Sequence, residues 1–330
     1  MPLRYPRRVS LAQTPTPLQY LERASARWGC GHRLWVKRDD LTGCALSGNK
    51  VRKLEFIAAH ALDNGYDTLL TCGGLQSNHC RATALVGAQL GLHTHLLLRG
   101  EEPAEREGNL LLDHLAGATV SCYPKARYVA EISDLFAYWE AQYAAQGRRA
   151  LAVPTGGSDG IGLWGYIAAC EELVEDFARH AILQAHIVTA SGSGGTQAGL
   201  TLGAALHDLS AAVWGINVCD DEQYFLDKVA RDIDDLRRRY PDVPACDTQT
   251  RVIDGYVGAG YAVADAEIFT LIGELCRLEG LVLDPVYTAK AFAGMLSEIK
   301  QGRFEGVRDI VFVHTGGIFG VFPQRAGFAA

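Results

Sequence analysis

Apolar and polar positions along the chain form short strand-like runs that alternate with longer stretches of helical periodicity. The runs that predict strands are "HRLWVKRDD", "YDTLLTC", "LHTHLLLRG", "TVSCYP", "ALAVPTGGSDG", "QAHIVTA", "AAVWGINV" and "DIVFVHTGG". The stretches that predict helices are "KVRKLEFIAAHALDNG", "SNHCRATALVGAQLG", "EREGNLLLDHLAGA", "YVAEISDLFAYWEAQYAAQG" and "QAGLTLGAALHDL". This alternation predicts an α/β protein of mostly parallel, twisted sheets that are flanked by helices.

Four polar, glycine-rich segments lie where a ligand is expected, because parallel sheets bind ligands beyond the carboxyl ends of their strands. They are "GNK" at 48–50, "GGLQSNH" at 73–79, "SGSGGT" at 191–196 and "HTGG" at 314–317. Each of these segments is therefore a candidate part of a binding site.

The segment "SGSGGT" follows a predicted strand and opens a predicted helix. Glycines let the backbone approach an anion closely, and the N–H groups of a helix N-terminus then point towards it, which suits one phosphate group. The G-x-G-x-x-G spacing is missing and no acidic residue ends the next strand, so a dinucleotide site is disfavoured. A tight turn without a ligand is the alternative interpretation.

Lys50 follows a Gly-Asn turn at the start of a predicted helix. A nucleotide-binding loop is excluded, because Asn49 separates the lysine from the second glycine of "GCALSGNK" and Val51 follows it. Lys50 is either a solvated cation or an amine that forms a Schiff base, with its pKa lowered by burial, Arg52, Lys53 and the helix N-terminus. A lysine amine and a site for one phosphate are the two anchors of pyridoxal phosphate.

Composition excludes several functions. The chain has 330 residues, enough for two domains, and 48% of them are hydrophobic, as in ordinary globular proteins. The net charge of −7 argues against a nucleic-acid partner, and no apolar run reaches the length of a membrane span. Nine scattered cysteines and an N-terminus without a signal-peptide core favour reduced thiols in the cytoplasm. The histidines do not cluster at ligand spacing, so no metal site is predicted.

Five segments together resemble one family of pyridoxal-phosphate-dependent enzymes. They are "KRDDLTGCALSGNKVRKLEF", "GGLQSNHCRATA", "ASGSGGTQAGL", "LEGLVLDPVYTAKAFAGM" and "VFVHTGG". The family contains D-cysteine desulfhydrase and 1-aminocyclopropane-1-carboxylate deaminase, with L-cysteate sulfo-lyase as a close relative. The resemblance implies pyridoxal 5′-phosphate as cofactor, the fold of the tryptophan-synthase β-subunit (fold type II) and a homodimer. It also implies a larger cofactor-binding domain, residues 1–48 and 161–330, and a smaller inserted α/β domain, residues 49–160.

The resemblance also implies roles for single residues. Lys50 would form the Schiff base, Thr315 would face the pyridine nitrogen, and Asn78 would hydrogen-bond the phenolic oxygen of the cofactor. The implied cofactor-binding residues are Lys50, Asn49, Asn78, Gly192, Ser193, Gly194, Gly195, Thr196 and Thr315. The implied catalytic residues are Lys50, Ser77, Tyr261 and Tyr287. The implied substrate-binding residues are Ser77, Asn78 and His79, which would hold the carboxylate of a small amino acid, and Thr288.

The choice among the relatives depends on Thr288. The deaminase pattern has Glu at this place in "DPVYTAK", and opening a cyclopropane needs electron withdrawal that threonine is not suited to supply. The sequence therefore favours α,β-elimination from a small β-substituted amino acid, with D-cysteine giving pyruvate, sulfide and ammonia. L-Cysteate sulfo-lyase, the deaminase and a catalytically silent cofactor- or phosphate-binding protein remain alternatives. Ser47, Asp159 and the absence of Pro-Asn after Tyr261 depart from the family pattern.

Overall fold

Two β-sheets organise residues 3–328, the part of the chain that this computed structural model describes. The strands are β1 Leu18–Tyr20, β2 Arg33–Lys37, β3 Thr68–Gly74, β4 His93–Arg99, β5 Thr119–Tyr123, β6 Ala150–Ala152, β7 Ala185–Ser191, β8 Ala211–Asn217, β9 Arg251–Ile253 and β10 Asp309–Val313. The helices are α1 Glu22–Trp28, α2 Asn49–Asp63, α3 Asn78–Leu90, α4 Gly108–Leu115, α5 Lys125–Ala145, α6 Trp164–Arg179, α7 Gly195–Leu206, α8 Glu222–Arg239, α9 Ala266–Glu279 and α10 Thr288–Lys300.

The two sheets differ in size but share a parallel arrangement. The larger sheet has the strand order β1-β2-β10-β7-β8-β9, in which every described pairing is parallel except that of β1 with β2. The smaller sheet has the order β5-β4-β3-β6, and its described pairings are all parallel. This topology confirms the predicted α/β fold.

The predicted elements agree with the structure where the apolar pattern is long. The predicted strands correspond to β2–β8 and β10, and the predicted helices to α2–α5 and α7. The prediction did not include β1 and β9, which have three residues each, or the helices α1, α6, α8, α9 and α10. The smaller sheet lies within residues 49–160 and the larger sheet outside them, whereas the domain bounds themselves stay a prediction.

Buried ion pairs attach α2 to the larger sheet. Arg52, on α2, donates to both carboxylate oxygens of Asp39 at 2.9 and 2.8 Å and to Glu172 of α6 at 2.7 Å. Lys37, at the end of β2, pairs with Glu172 at 3.1 Å and with Asp176 at 2.7 Å. Because charges are tolerated in a protein interior only when they are paired, this network fixes α2 against β2 and α6.

Asp39 remains ionised at the centre of this network. Burial alone would raise the pKa of its carboxyl, but the charge and hydrogen bonds of Arg52 and the hydroxyl of Tyr166 hold the pKa below its usual value. Thr16 donates a further hydrogen bond at 2.8 Å. Both carboxylate oxygens are therefore satisfied, which the cost of burying this charge requires.

A close backbone contact places the start of α2 beside the end of β10. Gly48 has a φ of 90°, and a Cβ atom there would lie 2.6 Å from the carbonyl oxygen of Thr315, so only glycine fits. The N–H of Asn49 donates to the same carbonyl at 3.1 Å. The Gly-Asn turn that precedes Lys50 and the Thr-Gly-Gly segment therefore meet, although they are far apart in the sequence.

Arg52→Met should lower the free energy of unfolding by about 3–5 kcal/mol, because it leaves the carboxylates of Asp39 and Glu172 without their cation. The matched control is Arg7→Met, which removes an ion pair to Asp63 on the same helix, where the side chains are 54% and 51% exposed. That loss should stay below about 1 kcal/mol. Chemical denaturation measures both losses, and equal values would show that the buried network does not anchor α2.

Candidate active site

A cavity of about 310 Å³ lies where the four glycine-rich segments meet. Most of the residues implied by the family resemblance line its wall. They are Asn49, Lys50, Ser77, Asn78, His79, Gly192, Ser193, Gly194, Thr196, Tyr261, Tyr287 and Thr315. Gly195 and Thr288 lie outside the wall.

Lys50 lines the cavity from the first turn of α2. Burial lowers the pKa of its amine from 10.5 to about 8. Arg52 does not contribute, because its charge is neutralised by Asp39 and Glu172. Desolvation is thus the main cause that brings the amine near the pH at which it acts as a base or nucleophile.

The turn between β7 and α7 forms a cup of backbone N–H groups. The first N–H groups of a helix have no intrahelical acceptor, and they attract anions. The Gly195 N–H is used within the protein, since it donates to Ser158 Oγ at 3.2 Å, whereas its neighbours in 192–196 line the cavity. Asn49 donates to Thr196 Oγ1 at 2.9 Å, which ties the cup to the start of α2.

Gly156 lies between the Lys50 amine and the cup. Its φ is 71°, and a Cβ atom there would lie 3.1 Å from Lys50 Nζ and 2.2 Å from Ser193 Oγ. Any other residue would therefore collide with the cup and crowd the amine. The amine and the cup border the same small space. A ligand with an aldehyde and one phosphate could therefore reach the amine with its aldehyde and the cup with its phosphate.

The N-terminus of α3 supplies a second group of donors. Ser77 caps the helix, and its hydroxyl oxygen accepts a hydrogen bond from the N–H of Cys80 at 3.2 Å. The N–H groups of Asn78 and His79 lie in the first turn, where the helix itself offers no acceptor. These groups and the positive end of the helix dipole suit a carboxylate.

His79 lines the cavity as a neutral ring. Burial, together with the charges of Lys50 and Lys53, lowers the pKa of His79 well below its usual value. Thr71 donates its hydroxyl proton to the carbonyl of Val153 at 2.8 Å, so its oxygen accepts from Nε2 of His79 at 2.8 Å. Nδ1 then carries a lone pair. A carboxylate at this position would be held by backbone N–H groups and not by the imidazole.

Buried residues orient Asn78. Its Oδ1 accepts a hydrogen bond from Asn109 at 3.0 Å, and Asn109 is itself held by the carbonyl of Gln76 at 2.9 Å and by Arg81 at 3.0 Å. Asn109 and Arg81 are completely buried. The amide nitrogen of Asn78 is consequently the end that remains for a ligand.

Tyr261 and Tyr287 bring their hydroxyl groups into contact with each other. Burial raises the pKa of Tyr261, and it raises the pKa of Tyr287 well above the usual value, so both phenols keep their protons at neutral pH. Because one hydroxyl donates to the other, one proton of the pair is left for a ligand. The pair can therefore hold or donate a proton at one place in the wall.

Thr288 does not reach the cavity. Its completely buried hydroxyl donates to Asp284 Oδ1 at 2.7 Å and accepts from the N–H of Asp284 at 2.7 Å. The Asp284 carboxylate also accepts from the N–H of Tyr287 at 3.0 Å. Thr288 thus fixes the turn that carries Tyr287, and its direct contact with the substrate, which the resemblance implies, has no support in the cavity wall.

Asp159, which departs from the family pattern, also lies outside the wall. Its Oδ1 accepts from the N–H groups of Ile161 and Gly162 at 3.1 and 2.8 Å. Its role is to cap the turn before α6, so the change from Asn leaves the cavity wall intact.

Lys53, predicted only as a neighbouring charge, lies behind the cup and outside the cavity wall, where it donates to the carbonyl of Gly156 at 3.1 Å. It is completely buried and donates to Ser158 Oγ at 3.0 Å, the oxygen that also accepts from the Gly195 N–H. Burial and the charge of Lys50 lower the pKa of Lys53 well below its usual value, and no carboxylate within residues 3–328 forms an ion pair with it. An anion in the cup would supply that partner. The spacing of two lysines by three positions in "KVRK" was the available signal.

Comparison with known proteins agrees with these features. Residues 9–316 match the family described as "Pyridoxal-phosphate dependent enzyme". The chain is 40% identical to "Bifunctional D-cysteine desulfhydrase/1-aminocyclopropane-1-carboxylate deaminase, mitochondrial" of Arabidopsis thaliana, over 96% of this chain and 79% of that protein. It is 38% identical to "D-cysteine desulfhydrase" of Klebsiella pneumoniae, over 98% of this chain and 97% of that protein. A crystal structure of an ACC deaminase homologue matches with a TM-score of 0.87 and 33% identity, over 98% of this chain and 95% of that chain.

The chain belongs to the pyridoxal-phosphate-dependent enzymes. This result confirms the predicted cofactor and fold type. The cavity fits the cofactor, because it combines a lysine amine of lowered pKa with an N–H cup, behind which Lys53 is buried against Ser158. Within residues 3–328, no helix has both the length and the apolar character to cross a bilayer, and no cluster of His, Cys, Asp or Glu is placed to hold a metal ion.

Borohydride treatment of the holoprotein should attach the cofactor irreversibly to the peptide that contains Lys50, because this amine borders the cup. Lys50→Ala should abolish the attachment. Lys53→Met, a change one turn further along α2, should weaken cofactor binding and leave the attachment at Lys50. Peptide mass spectrometry locates the label, and a label on Lys53 or Lys290 would contradict the assignment.

The rate at which cofactor-free protein recombines covalently with pyridoxal phosphate should depend on pH through Lys50. The neutral amine is the nucleophile, so the rate should rise by about tenfold per pH unit and level off above about pH 8. Stopped-flow absorbance measures this rate. A rate that continued to rise towards about pH 10 would indicate an ordinary exposed lysine instead.

Proposed function

We propose that the protein is a carbon–sulfur lyase that catalyses α,β-elimination on a small β-substituted amino acid, with D-cysteine as the first substrate to test. The observation that supports this most is the presence in one cavity of an amine of lowered pKa, Lys50, and of two protonated phenols in contact, Tyr261 and Tyr287. Elimination needs both functions, a base for the Cα proton and a donor for the group that leaves Cβ.

Each part of the cavity has a role in this proposal. The N–H groups of Asn78 and His79 hold the substrate carboxylate, and the lowered pKa of Lys50 suits a base that removes the Cα proton near neutral pH. Ser77 is placed to pass a proton, and Tyr261 or Tyr287 assists the leaving group. The bound cofactor supplies the electron withdrawal that weakens the Cα–H bond.

The proposed reaction of D-cysteine is balanced by one molecule of water. The Cα–H bond breaks as its proton passes to Lys50, and the Cβ–S bond breaks as its electron pair stays on sulfur. A double bond forms between Cα and Cβ. Reprotonation at Cβ and hydrolysis of the nitrogen-bearing carbon then give pyruvate and ammonium, with hydrogen sulfide as the other product. No oxidant or reductant is required.

The preference for the desulfhydrase over the deaminase rests on position 288, since the names of similar proteins include both activities. Thr288 is uncharged and bonded to Asp284, so it does not bring a carboxylate to the cavity from the start of α10. The carboxylate that does line the described wall, Asp220, is exposed to solvent.

L-Cysteate sulfo-lyase activity is the nearest alternative, since its substrate also loses a group from Cβ. A protein that binds the cofactor without turnover is the alternative from another class, and the complete set of Lys50 and both tyrosines argues against it. The homodimer that the resemblance implies and the cytoplasmic location that the scattered cysteines favour stay proposals as well.

Purified holoprotein should release pyruvate and sulfide from D-cysteine, and Lys50→Ala should release neither. Tyr287→Phe removes one phenolic proton and should lower kcat by about 10²-fold or more. The assay compares D-cysteine, L-cysteine, cysteate and 1-aminocyclopropane-1-carboxylate at matched concentrations and quantifies pyruvate and 2-oxobutyrate separately. 2-Oxobutyrate from the cyclopropane without pyruvate from the other compounds would restore the deaminase. No keto acid from any compound would favour a catalytically silent protein.

A further inference from the structure

Arg99 is a cation in the cavity wall without an anionic partner. It ends β4 and is half-buried. Within residues 3–328 its guanidinium forms neither an ion pair nor a hydrogen bond, whereas Arg33, Arg38 and Arg52 are each paired with a carboxylate. An arginine cannot relieve this situation by losing its proton, so its charge is available to a ligand.

Two tyrosine rings hold the Arg99 guanidinium in place. Its central carbon lies 5.2 Å from the ring centroid of Tyr261 and 5.8 Å from that of Tyr128. Such contacts stabilise a guanidinium through its charge and its faces. The N–H groups in the plane of the guanidinium remain unused, and their fork matches the spacing of two oxygens of an oxyanion.

Arg99 lies beside the groups that are proposed to act on the β-substituent. Tyr261, on which it stacks, contacts the hydroxyl of Tyr287. In the smaller sheet Arg99 is paired in register with Gly74, the last residue of β3, and the chain then runs from Gly74 to the start of α3. A substrate whose carboxylate is bound at the N-terminus of α3 and whose Cα proton faces Lys50 would direct its β-substituent towards these tyrosines and the guanidinium.

We infer that Arg99 binds an anionic group on the β-carbon of the substrate, so that the substrate class includes β-sulfonate amino acids such as cysteate. The inference rests on the proposed elimination. A sulfonate presents oxygens to the guanidinium fork before the reaction begins, whereas a thiol interacts with Arg99 only as negative charge develops on the departing sulfur. Cysteate and one water would give pyruvate, ammonium and hydrogen sulfite, since the Cβ–S electron pair leaves with sulfur and the Cα proton passes to Lys50.

The test compares substrates that differ in the charge of the β-substituent. Arg99→Met keeps the apolar stem and removes the charge. It should lower kcat/KM for cysteate by about 10- to 100-fold, the effect expected for charge-assisted hydrogen bonds. It should lower kcat/KM for β-chloroalanine much less, because a neutral β-substituent meets Arg99 only as negative charge develops on the departing chloride. Arg99→Lys keeps the charge without the fork and should give an intermediate loss for cysteate. Both enantiomers of each substrate are assayed.

Arg127→Met is the matched control. The Arg127 guanidinium also stacks on a tyrosine, Tyr123, at 5.3 Å from the ring centroid, but it lies outside the cavity wall. Its replacement removes a cation–π contact together with an exposed ion pair to Glu131, at a site away from the cavity. Arg127→Met should leave the ratio of kcat/KM for cysteate to kcat/KM for β-chloroalanine unchanged.

A second readout does not depend on turnover. Cysteate and alanine are titrated calorimetrically into Lys50→Ala protein supplied with pyridoxal phosphate. The titrations are repeated with the double variant that carries both Lys50→Ala and Arg99→Met. The second change should weaken cysteate binding by about 10- to 100-fold and leave alanine binding unchanged. This measurement also shows whether the Arg99→Met protein retains its fold and its cofactor.

The outcomes separate this inference from the proposed function. Pyruvate from β-chloroalanine, with cysteate neither bound nor converted, would overturn the role of Arg99 and keep the elimination. An equal loss for both substrates in Arg99→Met would also overturn it, since Arg99 would then act by positioning Tyr261. Cysteate binding that depends on Arg99, without pyruvate from any substrate, would support the anion site and overturn the proposed function.

Discussion

The ion pairs of Arg52 with the buried carboxylates of Asp39 and Glu172 decide where the candidate site can form. Unpaired charges are strongly unfavourable in an interior, so α2 cannot rotate about its axis without separating them. Successive residues of a helix are roughly 100° apart, which places Lys50 about 200° from Arg52 and about 300° from Lys53. The constraint that directs Arg52 towards α6 therefore directs Lys50 towards the cavity and leaves Lys53 behind the cup, beside Ser158. One short segment, "NKVRK", thus supplies both the anchor and the lysine of the cavity.

The cavity collects cations and leaves them without carboxylates. Lys228 is the exception in the wall, since its amine donates a hydrogen bond to the carboxylate of Asp232 at 2.6 Å. Burial lowers the pKa of Lys50 and of Lys53, so both amines can lose a proton in place of finding a partner. Arg99 cannot do so and stacks on aromatic rings. An anionic ligand raises the pKa of a neighbouring lysine, so the binding of a phosphate in the cup and the protonation of Lys53 are coupled.

The sequence predicted the backbone of the site better than the directions of its side chains. The four glycine-rich segments meet because parallel strands end on the same edge of a sheet, which the alternation of strands and helices already implied. Side-chain direction depends on contacts between distant segments. Thr288 is adjacent to Tyr287, yet it faces Asp284 and not the cavity. Arg99 ends an ordinary apolar strand and belongs to no motif, so only its packing against Tyr261 identifies it.

Position 288, which separates the two family patterns, lies outside the cavity wall and acts on the turn that carries Tyr287. The hydroxyl of Thr288 donates to Asp284, which also accepts from the N–H groups of Val286, Tyr287 and Thr288. Burial raises the pKa of Asp284, and these hydrogen bonds oppose the rise. A glutamate at position 288 would bring a second carboxylate to the same buried turn, where like charges disfavour the ionisation of both. The turn would have to rearrange, and Tyr287 would move with it. An acidic residue at position 288 would therefore disturb the contact between the two phenols on which the proposed elimination depends.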